Sequence, residues 1–156
     1  MPVPAVAAET LAAVRKSPGN RVRVAVADID GILRGKYLHK DKFESAIESG
    51  FGFCDVVFGW DSADQCYDNT KLTGWQHGFP DAVARIDLQT FRTVPWDDHV
   101  PFFLGNFIRT DADGNEEPLP ICPRQVLKRV LRRAEKLRWS SSITRGAGGR
   151  RSSACG

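Results

Sequence analysis

Residues 22–38, VRVAVADIDGILRGKYL, decide the fold class of this chain. Residues 22–27 alternate valine with arginine or alanine, and a period of two predicts a half-buried β-strand. Asp30-Gly31 follows. Asp-Gly between two alternating runs predicts a hairpin, because a tight turn needs positive φ and glycine adopts it without steric cost. Residues 32–38 are then the return strand.

Residues 41–80 predict a helix, a strand and a long loop. The helix is expected from Asp41, whose carboxylate can cap the first free amides, to a stop at Gly50. Residues 51–58 are dense in aromatic and β-branched side chains, which predicts a buried strand. Residues 60–80 are polar, rich in aspartate and without a period. They predict a loop, and loops of that length in a compact domain are usually functional or mobile.

The last structured part predicts two strands and a second helix. Residues 83–86 and 102–108 read as strands, and Asp113-Gly114 marks another turn. From Pro123 onward, apolar residues recur at helical spacing, at Val126, Leu127, Val130, Leu131, Ala134 and Leu137. The order of elements predicts an α+β fold with a mostly antiparallel sheet and two helices, which suits a β-grasp-like architecture.

Composition places the chain among globular proteins. Its 156 residues are 42% hydrophobic and 26% charged, close to the average for one globular domain with or without a tail. Four scattered cysteines predict free buried thiols and not a disulfide framework. The N-terminus has neither a basic start nor an apolar run, so we expect a soluble cytoplasmic protein without a membrane span.

The end of the chain is basic. From Pro123 there are ten lysines and arginines against one acid, whereas twelve face eighteen before it. Phosphate contact by this helix face would be salt-sensitive and blind to sequence, but no aromatic residues interleave it. We therefore interpret the face as solvated and do not expect nucleic-acid binding.

Residues 139–156 have almost nothing with which to build a core and are expected to be disordered. An out-of-frame translation would explain them. With G+C-rich codons, residues 139–144, WSSSIT, read from the third base give the strand-like Val-Val-Val-Asp-Tyr.

Several short motifs occur together in a specific order. They are ADIDGILRGK at 27–36, FGWD at 58–61, PD at 80–81, DLQTFR at 87–92, PW at 95–96 and PRQVL at 123–127. Together they resemble the N-terminal domain of the glutamine synthetase family, and are most similar to the branch with the γ-glutamylpolyamine synthetases. The resemblance covers roughly residues 22–137.

The resemblance implies a β-grasp domain that precedes a larger catalytic domain in a ring-shaped homo-oligomer. This family of ligases serves nitrogen metabolism, including glutamine biosynthesis. It activates glutamate with ATP and Mg²⁺ or Mn²⁺, and ammonia or an amine such as a polyamine then attacks. The metal and nucleotide sites are expected beyond this chain, which should bind neither and be inactive alone.

The resemblance also implies a domain division. We expect an arm or short helix at 1–20, the β-grasp domain at 21–121, a helix toward the absent catalytic domain at 122–138, and the tail at 139–156.

The same resemblance implies site residues on the long loop. Asp61 matches the family aspartate that holds or deprotonates the incoming amine in a neighbouring subunit, with Ser62 beside it and Trp60 lining the loop. The sequence at this position departs from the Asp-Gly-Ser-Ser motif of the ammonia-using type. The alignment can therefore shift by a residue or two, and Asp64 is the next candidate. The alternative is that Asp61 is one of several solvated loop acids.

Two other interpretations fit parts of the sequence. Asp28 and Asp30 resemble the nucleophile and general acid of haloacid-dehalogenase-type phosphatases, with Asp97-Asp98 as an acidic pair. A return strand follows at once, however, so we favour turn chemistry. Neither this D-x-D-G nor the one at Asp111 has the further acids of a calcium loop.

A stand-alone β-grasp interaction module is the second alternative. It predicts that the apolar stripe of the last helix is buried within the chain, whereas a domain of a larger ligase predicts exposed apolar surface. Arg34 and Lys36 should share one face of the return strand, for which we favour solvent or a subunit interface.

Overall fold

The computed structural model describes residues 5–137, which contain three helices and six strands. The helices are α1 (Ala5–Lys16), α2 (Lys40–Ser49) and α3 (Pro123–Lys136). The strands are β1 (Arg21–Ala27), β2 (Leu33–His39), β3 (Phe51–Cys54), β4 (Asp81–Val94), β5 (Val100–Thr110) and β6 (Glu116–Pro118). The α+β class is therefore as predicted. The tail expected at 139–156 lies outside the described residues.

The strands form one mixed sheet in the order β2-β1-β5-β4-β3, with β6 beside β5. Strands β1 and β2 are the predicted antiparallel hairpin. Strands β1 and β5 run parallel at the centre of the sheet, and the other pairs are antiparallel. Ala25 and Ala27, on the second face of β1, are buried as well.

The core lies on the sheet face that α1 and α2 cover. Val22, Val24 and Val26 of β1 are fully buried there. Phe43 of α2 packs on Phe103 of β5, with ring centroids 4.8 Å apart. The period-two and helical patterns of the sequence therefore meet in a single hydrophobic cluster.

Two predicted boundaries in the first half are wrong. The N-cap of α2 is His39 and not Asp41, because β2 runs directly into the helix and Asp41 falls in its first turn. Gly50 does end the helix, with φ of 76°. The strand expected at 51–58 stops at Cys54 and continues as a 3-10 turn, Asp55–Phe58. Val57 and Phe58 are buried in the 3-10 turn, so their apolar composition, which is typical of a buried strand, did not reveal the turn.

The second half has more strand than the sequence predicts. Strand β4 extends to Val94 and carries a register shift between Asp87 and Arg92. Within the shift, the Thr90 hydroxyl accepts the Leu104 amide at 2.8 Å in place of a ladder carbonyl. That irregularity hides the period of two. The short strand β6 after the Asp113-Gly114 turn is also missing from the prediction.

The described residues up to Val126 form one compact unit, and those from Leu127 belong to a second. Along α3, the predicted apolar stripe is exposed at Val126, Leu127, Val130, Leu131 and Leu137. The cysteines within the described residues are free, and only Cys122 of these is buried. Among the helices described, none combines the length and apolarity needed to cross a membrane.

Candidate functional site

The long loop that follows the 3-10 turn begins with an ordered five-residue turn, residues 61–65. The Asp61 amide donates to the Gln65 carbonyl at 3.2 Å, and the Asp64 amide donates to the Asp61 carbonyl at 3.1 Å. Asp64 adopts φ of 59°, the left-handed conformation that such a turn requires at its fourth residue. The loop closes behind this turn, where the Tyr67 amide donates to the Gly59 carbonyl at 2.8 Å.

The Asp61 carboxylate accepts three hydrogen bonds. Its Oδ1 accepts the amides of Ala63 and Gln65, both at 2.9 Å. Its Oδ2 accepts the Tyr67 hydroxyl at 2.6 Å. The Tyr67 hydroxyl first, and then the Gln65 amide, lower the pKa of Asp61 below its ordinary value, and the same bond raises the pKa of Tyr67. Asp61 is half-buried and carries a negative charge at neutral pH.

The same five-residue turn occurs three times in the described chain, starting at Asp28, Asp61 and Asp111. In each, the aspartate side chain accepts the amides two and four residues later. Gly31 and Gly114 occupy the left-handed position in the first and third turns, where Asp64 stands in the second. The part of the prediction that assigned Asp28 and Asp111 to turn chemistry is confirmed.

Asp28 is unsuited to the phosphatase interpretation. Its side chain is 0% exposed. Oδ1 accepts the amides of Asp30 and Ile32, and Oδ2 accepts Nε of Arg34 at 2.8 Å. A nucleophile needs an oxygen that a substrate can reach, and this carboxylate is fully buried.

Arg34 connects the β1–β2 turn to the loop. Besides Asp28, its guanidinium donates from Nη1 to Asp64 Oδ1 at 3.0 Å and from Nη2 to the Asp61 carbonyl at 3.0 Å. It also lies over the Trp60 ring, 4.2 Å from the centroid. Arg34 is thus engaged within the chain, so the expectation of solvent for it is wrong, and a place at a subunit interface stays a prediction.

Lys36 shares the face of Arg34, as predicted, but it too contacts its own chain. Its Nζ donates to the Gly52 carbonyl at 2.6 Å. The register places Arg34 opposite Val26 and Lys36 opposite Val24. Both side chains therefore project on the core side of the sheet, where the edge strand β2 lets them reach the loop and β3.

The structure brings together the residues that the sequence analysis singled out on the loop. Trp60 and Asp64 both contact Arg34, and the exposed Ser62 donates its amide to Asp30 Oδ2 at 2.8 Å. The role of Asp61, Ser62, Trp60 and Asp64 in binding an amine stays a prediction. Tyr67 and the loop contact of Arg34 were not predicted from the sequence. The sequence carries a signal for the Asp28–Arg34 pair alone, because a hairpin places an acid that ends one strand near a base that begins the next.

The metal ion implied by the family resemblance has no group of ligands among the described residues. Within residues 5–137, no three His, Cys, Asp or Glu side chains are grouped so that they could hold a metal ion. We therefore assign no metal chemistry to these residues.

Comparison with known proteins finds a glutamine synthetase and a glutamate–isopropylamine ligase among the relatives. No protein-family model matches the chain. It is 58% identical over 123 residues to type-1 glutamine synthetase 2 of Dictyostelium discoideum, which covers 79% of this chain and 22% of the relative. It is 34% identical over 125 residues to the glutamate–isopropylamine ligase of a Pseudomonas species, which covers 80% of this chain and 26% of the relative.

The fold comparison agrees with the sequence comparison. The solved structure of a novel glutamine synthase homolog matches with a TM-score of 0.58 at 24% identity, over 78% of this chain and 28% of that one. The chain spans about a quarter of the length of the relatives that it matches. Because the alignments cover about four fifths of this chain and the fold agrees, it belongs to the glutamine synthetase family, as an N-terminal part.

Proposed function

We propose that this chain supplies the amine-side loop of a glutamate ligase, which forms an amide between glutamate and ammonia or an amine at the expense of ATP. Residues outside this chain then complete the site, and the chain alone is inactive. The observation that carries the proposal is the Asp61 carboxylate, ionised and half-exposed on an ordered loop, in a chain 58% identical to a glutamine synthetase. The cytoplasm and a ring of identical subunits are part of the same proposal.

The lowered pKa of Asp61 favours one of the two roles that an anionic group can have toward the amine. An ammonium or alkylammonium ion is held best by a carboxylate that stays charged, through charge-assisted hydrogen bonds. A general base works best with a pKa near the working pH, and the Tyr67 hydroxyl moves the pKa of Asp61 further from it. Asp61 therefore binds and orients the cation, and a proton acceptor comes from elsewhere.

The exposed stripe of α3 supports the view that the chain is a domain of a larger ligase. Leu127 and Val130 are 57% and 56% exposed, so a stand-alone module would leave these apolar side chains in water. A catalytic domain that follows in the chain would give them a surface to pack on.

The test joins this chain to a known catalytic part. In a chimera, the 123 aligned residues replace their counterpart in the Dictyostelium enzyme, and phosphate release is measured with ATP, glutamate and either ammonia, isopropylamine or a polyamine. We expect activity in the chimera with one of these amines and none in the chain alone. Release by the chain alone would mean that it holds a complete site.

The residue assignment is tested within the same chimera. Asp61→Asn should lower kcat/KM for the amine roughly 10- to 1,000-fold, because a neutral amide holds a cation poorly. Asp111→Asn alters the same kind of turn at an exposed position and is the matched control, with activity expected to stay within about twofold. Equal effects of the two variants on kcat/KM would show that Asp61 is not part of the amine site.

A further inference from the structure

The Arg34 side chain is the main polar connection between the sheet and the turn that carries Asp61. Its three nitrogens donate in three directions, to Asp28, Asp64 and the Asp61 carbonyl. Between the turns at 28–32 and 61–65, the other hydrogen bond in the described structure joins the Ser62 amide to Asp30 Oδ2. The Asp61 turn has its own internal bonds, which fix its shape but not its place on the domain.

The sheet end of this connection is rigid. Asp28 is fully buried, and its Oδ1 is fixed by two amides of its own turn. Its remaining oxygen holds Nε of Arg34, whose side chain is only 19% exposed. A guanidinium is planar, so fixing one nitrogen fixes the directions of the other two. The Asp61 backbone is therefore tied to the end of β1 through Arg34.

Trp60 adds a second constraint on the same group. The guanidinium lies over its ring, which restricts the guanidinium plane from one side. Arg34 thus touches the residue before Asp61, the carbonyl of Asp61 itself and the residue three positions later. A counter-ion for Asp28 alone would need none of these loop contacts.

We propose that Arg34 is the positioning residue of the amine-side loop: it sets where the Asp61 carboxylate is presented, without contacting the substrate. That the loop binds an amine rests on the proposed function, whereas the positioning of the loop by Arg34 does not. A lysine at this place would neutralise Asp28 but would offer a point charge in place of three directed donors. Arg34→Lys therefore separates charge compensation from positioning.

Amide hydrogen exchange on the full chain, followed residue by residue by NMR, tests the proposal without any assay of activity. The reporter is the Ser62 amide, whose acceptor Asp30 lies on the other side of the connection. In Arg34→Gln and Arg34→Lys we expect this amide to exchange about 10- to 100-fold faster, since a connection of charge-assisted hydrogen bonds is lost. Amides in the middle of β1 and β5 report on global stability in the same spectra.

Arg124→Gln is the matched control. Arg124 is also 19% exposed and is bonded to a carboxylate, that of Asp87, and to Asn106, away from the loop. It should leave the Ser62 amide unchanged. Asp64→Asn is a second, milder variant, which removes a loop-side charge whose side chain is 68% exposed and keeps a residue that tolerates left-handed φ. It should speed Ser62 exchange several-fold with β1 unaffected.

Two outcomes would overturn the proposal. One is an unchanged Ser62 amide in Arg34→Gln and Asp64→Asn. The other is full recovery of Ser62 protection in Arg34→Lys, which would make Arg34 a counter-charge for Asp28 and nothing more. If the variants unfold the chain, Asp64→Asn alone decides, because it leaves the Asp28–Arg34 pair in place.

The chimera adds a readout that a purely structural role would not move. In it, Arg34→Lys should raise KM for the amine about tenfold, with KM for glutamate within about twofold, because only the placement of the cation site changes. Faster Ser62 exchange together with an unchanged amine KM would support the positioning of the loop and contradict the proposed amine function. An unchanged Ser62 amide would contradict the positioning itself.

Discussion

At the scale of single residues, three aspartates of this chain have the same turn geometry but different partners and different roles. Asp28, Asp61 and Asp111 each accept the amides two and four residues ahead. The third partner differs: Arg34 for Asp28, the Tyr67 hydroxyl for Asp61, and the Asn115 side chain for Asp111. That partner, together with burial, decides what each carboxylate contributes.

Removing the Tyr67 hydroxyl should shift the titration of Asp61. In Tyr67→Phe we expect the pKa of Asp61 to rise toward its ordinary value of about 3.9, because the largest cause of its lowering is gone. With a lowered pKa in the folded state, the loop gains stability that is present above the ordinary value and lost as pH falls through the lowered one. In Tyr67→Phe, the folded-state pKa of Asp61 is closer to its ordinary value, so acidification should remove less stability than in the unchanged protein.

Carbon-13 NMR of the carboxyl groups measures both titrations at once. Asp111 is the internal control, because it lies in another turn. Its pKa is also lowered, first by the backbone amide of Asn115. It should titrate identically in both proteins. An unshifted Asp61 in the variant would show that the hydroxyl bond is absent in solution.

The turns at Asp28 and Asp111 should contribute differently to the free energy of unfolding, because Asp28 is buried and Asp111 is exposed. Asp28→Ala leaves Arg34 without its buried partner and two amides without an acceptor, and we expect a loss of about 3 kcal/mol in the free energy of unfolding. Asp111→Ala removes the same pair of amide bonds at an exposed turn, where water replaces them, and should lower the free energy of unfolding clearly less.

Urea denaturation of both variants, with circular dichroism as the signal, gives the comparison. Equal losses would mean that the Asp28–Arg34 pair contributes nothing beyond the turn.

At the scale of elements, the centre of the sheet depends on a close approach at Gly105. A Cβ atom there would lie 2.8 Å from Cζ of Phe51, whose side chain is buried. Gly105→Ala should therefore cost about 1–3 kcal/mol, as overpacking of a core does.

Gly52→Ala is the matched strand control. Its Cβ would meet Oδ2 of Asp81, at the end of an exposed and flexible side chain that can turn away, and Cβ of Asp81 at 3.2 Å, which needs only a small shift. Gly52→Ala should therefore cost less than Gly105→Ala, about 1 kcal/mol at most. Thermal or urea unfolding measures the stability of both variants. An unchanged free energy of unfolding in Gly105→Ala would show that the Phe51 side chain can move aside.

At the scale of the whole molecule, the exposed stripe of α3 predicts association. Apolar side chains in water tend to pair, and Leu127, Val130 and Leu137 are all more than half exposed. We expect sedimentation velocity to show association that grows with protein concentration. The double variant Leu127→Gln/Val130→Gln should weaken it severalfold without lowering the free energy of unfolding.

The double variant Arg132→Gln/Arg133→Gln is the control, because it changes exposed residues of the same helix without removing apolar surface. It should leave apolar association in place. Equal loss in both double variants would assign the association to charge.

Local patterns determined most of the elements from the sequence alone. The β1–β2 hairpin follows from valine alternation and the Asp-Gly pair, and α3 follows from apolar spacing behind Pro123. These signals act over a few residues, through side-chain direction and turn conformation. The boundaries failed where one element runs into the next, at His39 and Cys54, because their ends depend on packing.

The tertiary structure alone decided what the charged residues do. Sequence analysis placed Asp61 on a loop and Arg34 on a strand 27 residues away, but nothing in the chain between them reveals that they meet. That meeting depends on the register of β2 on β1 and on the path of the loop after the 3-10 turn. Hydrogen bonds act over about 3 Å, so such a contact exists only once the fold has brought both ends together.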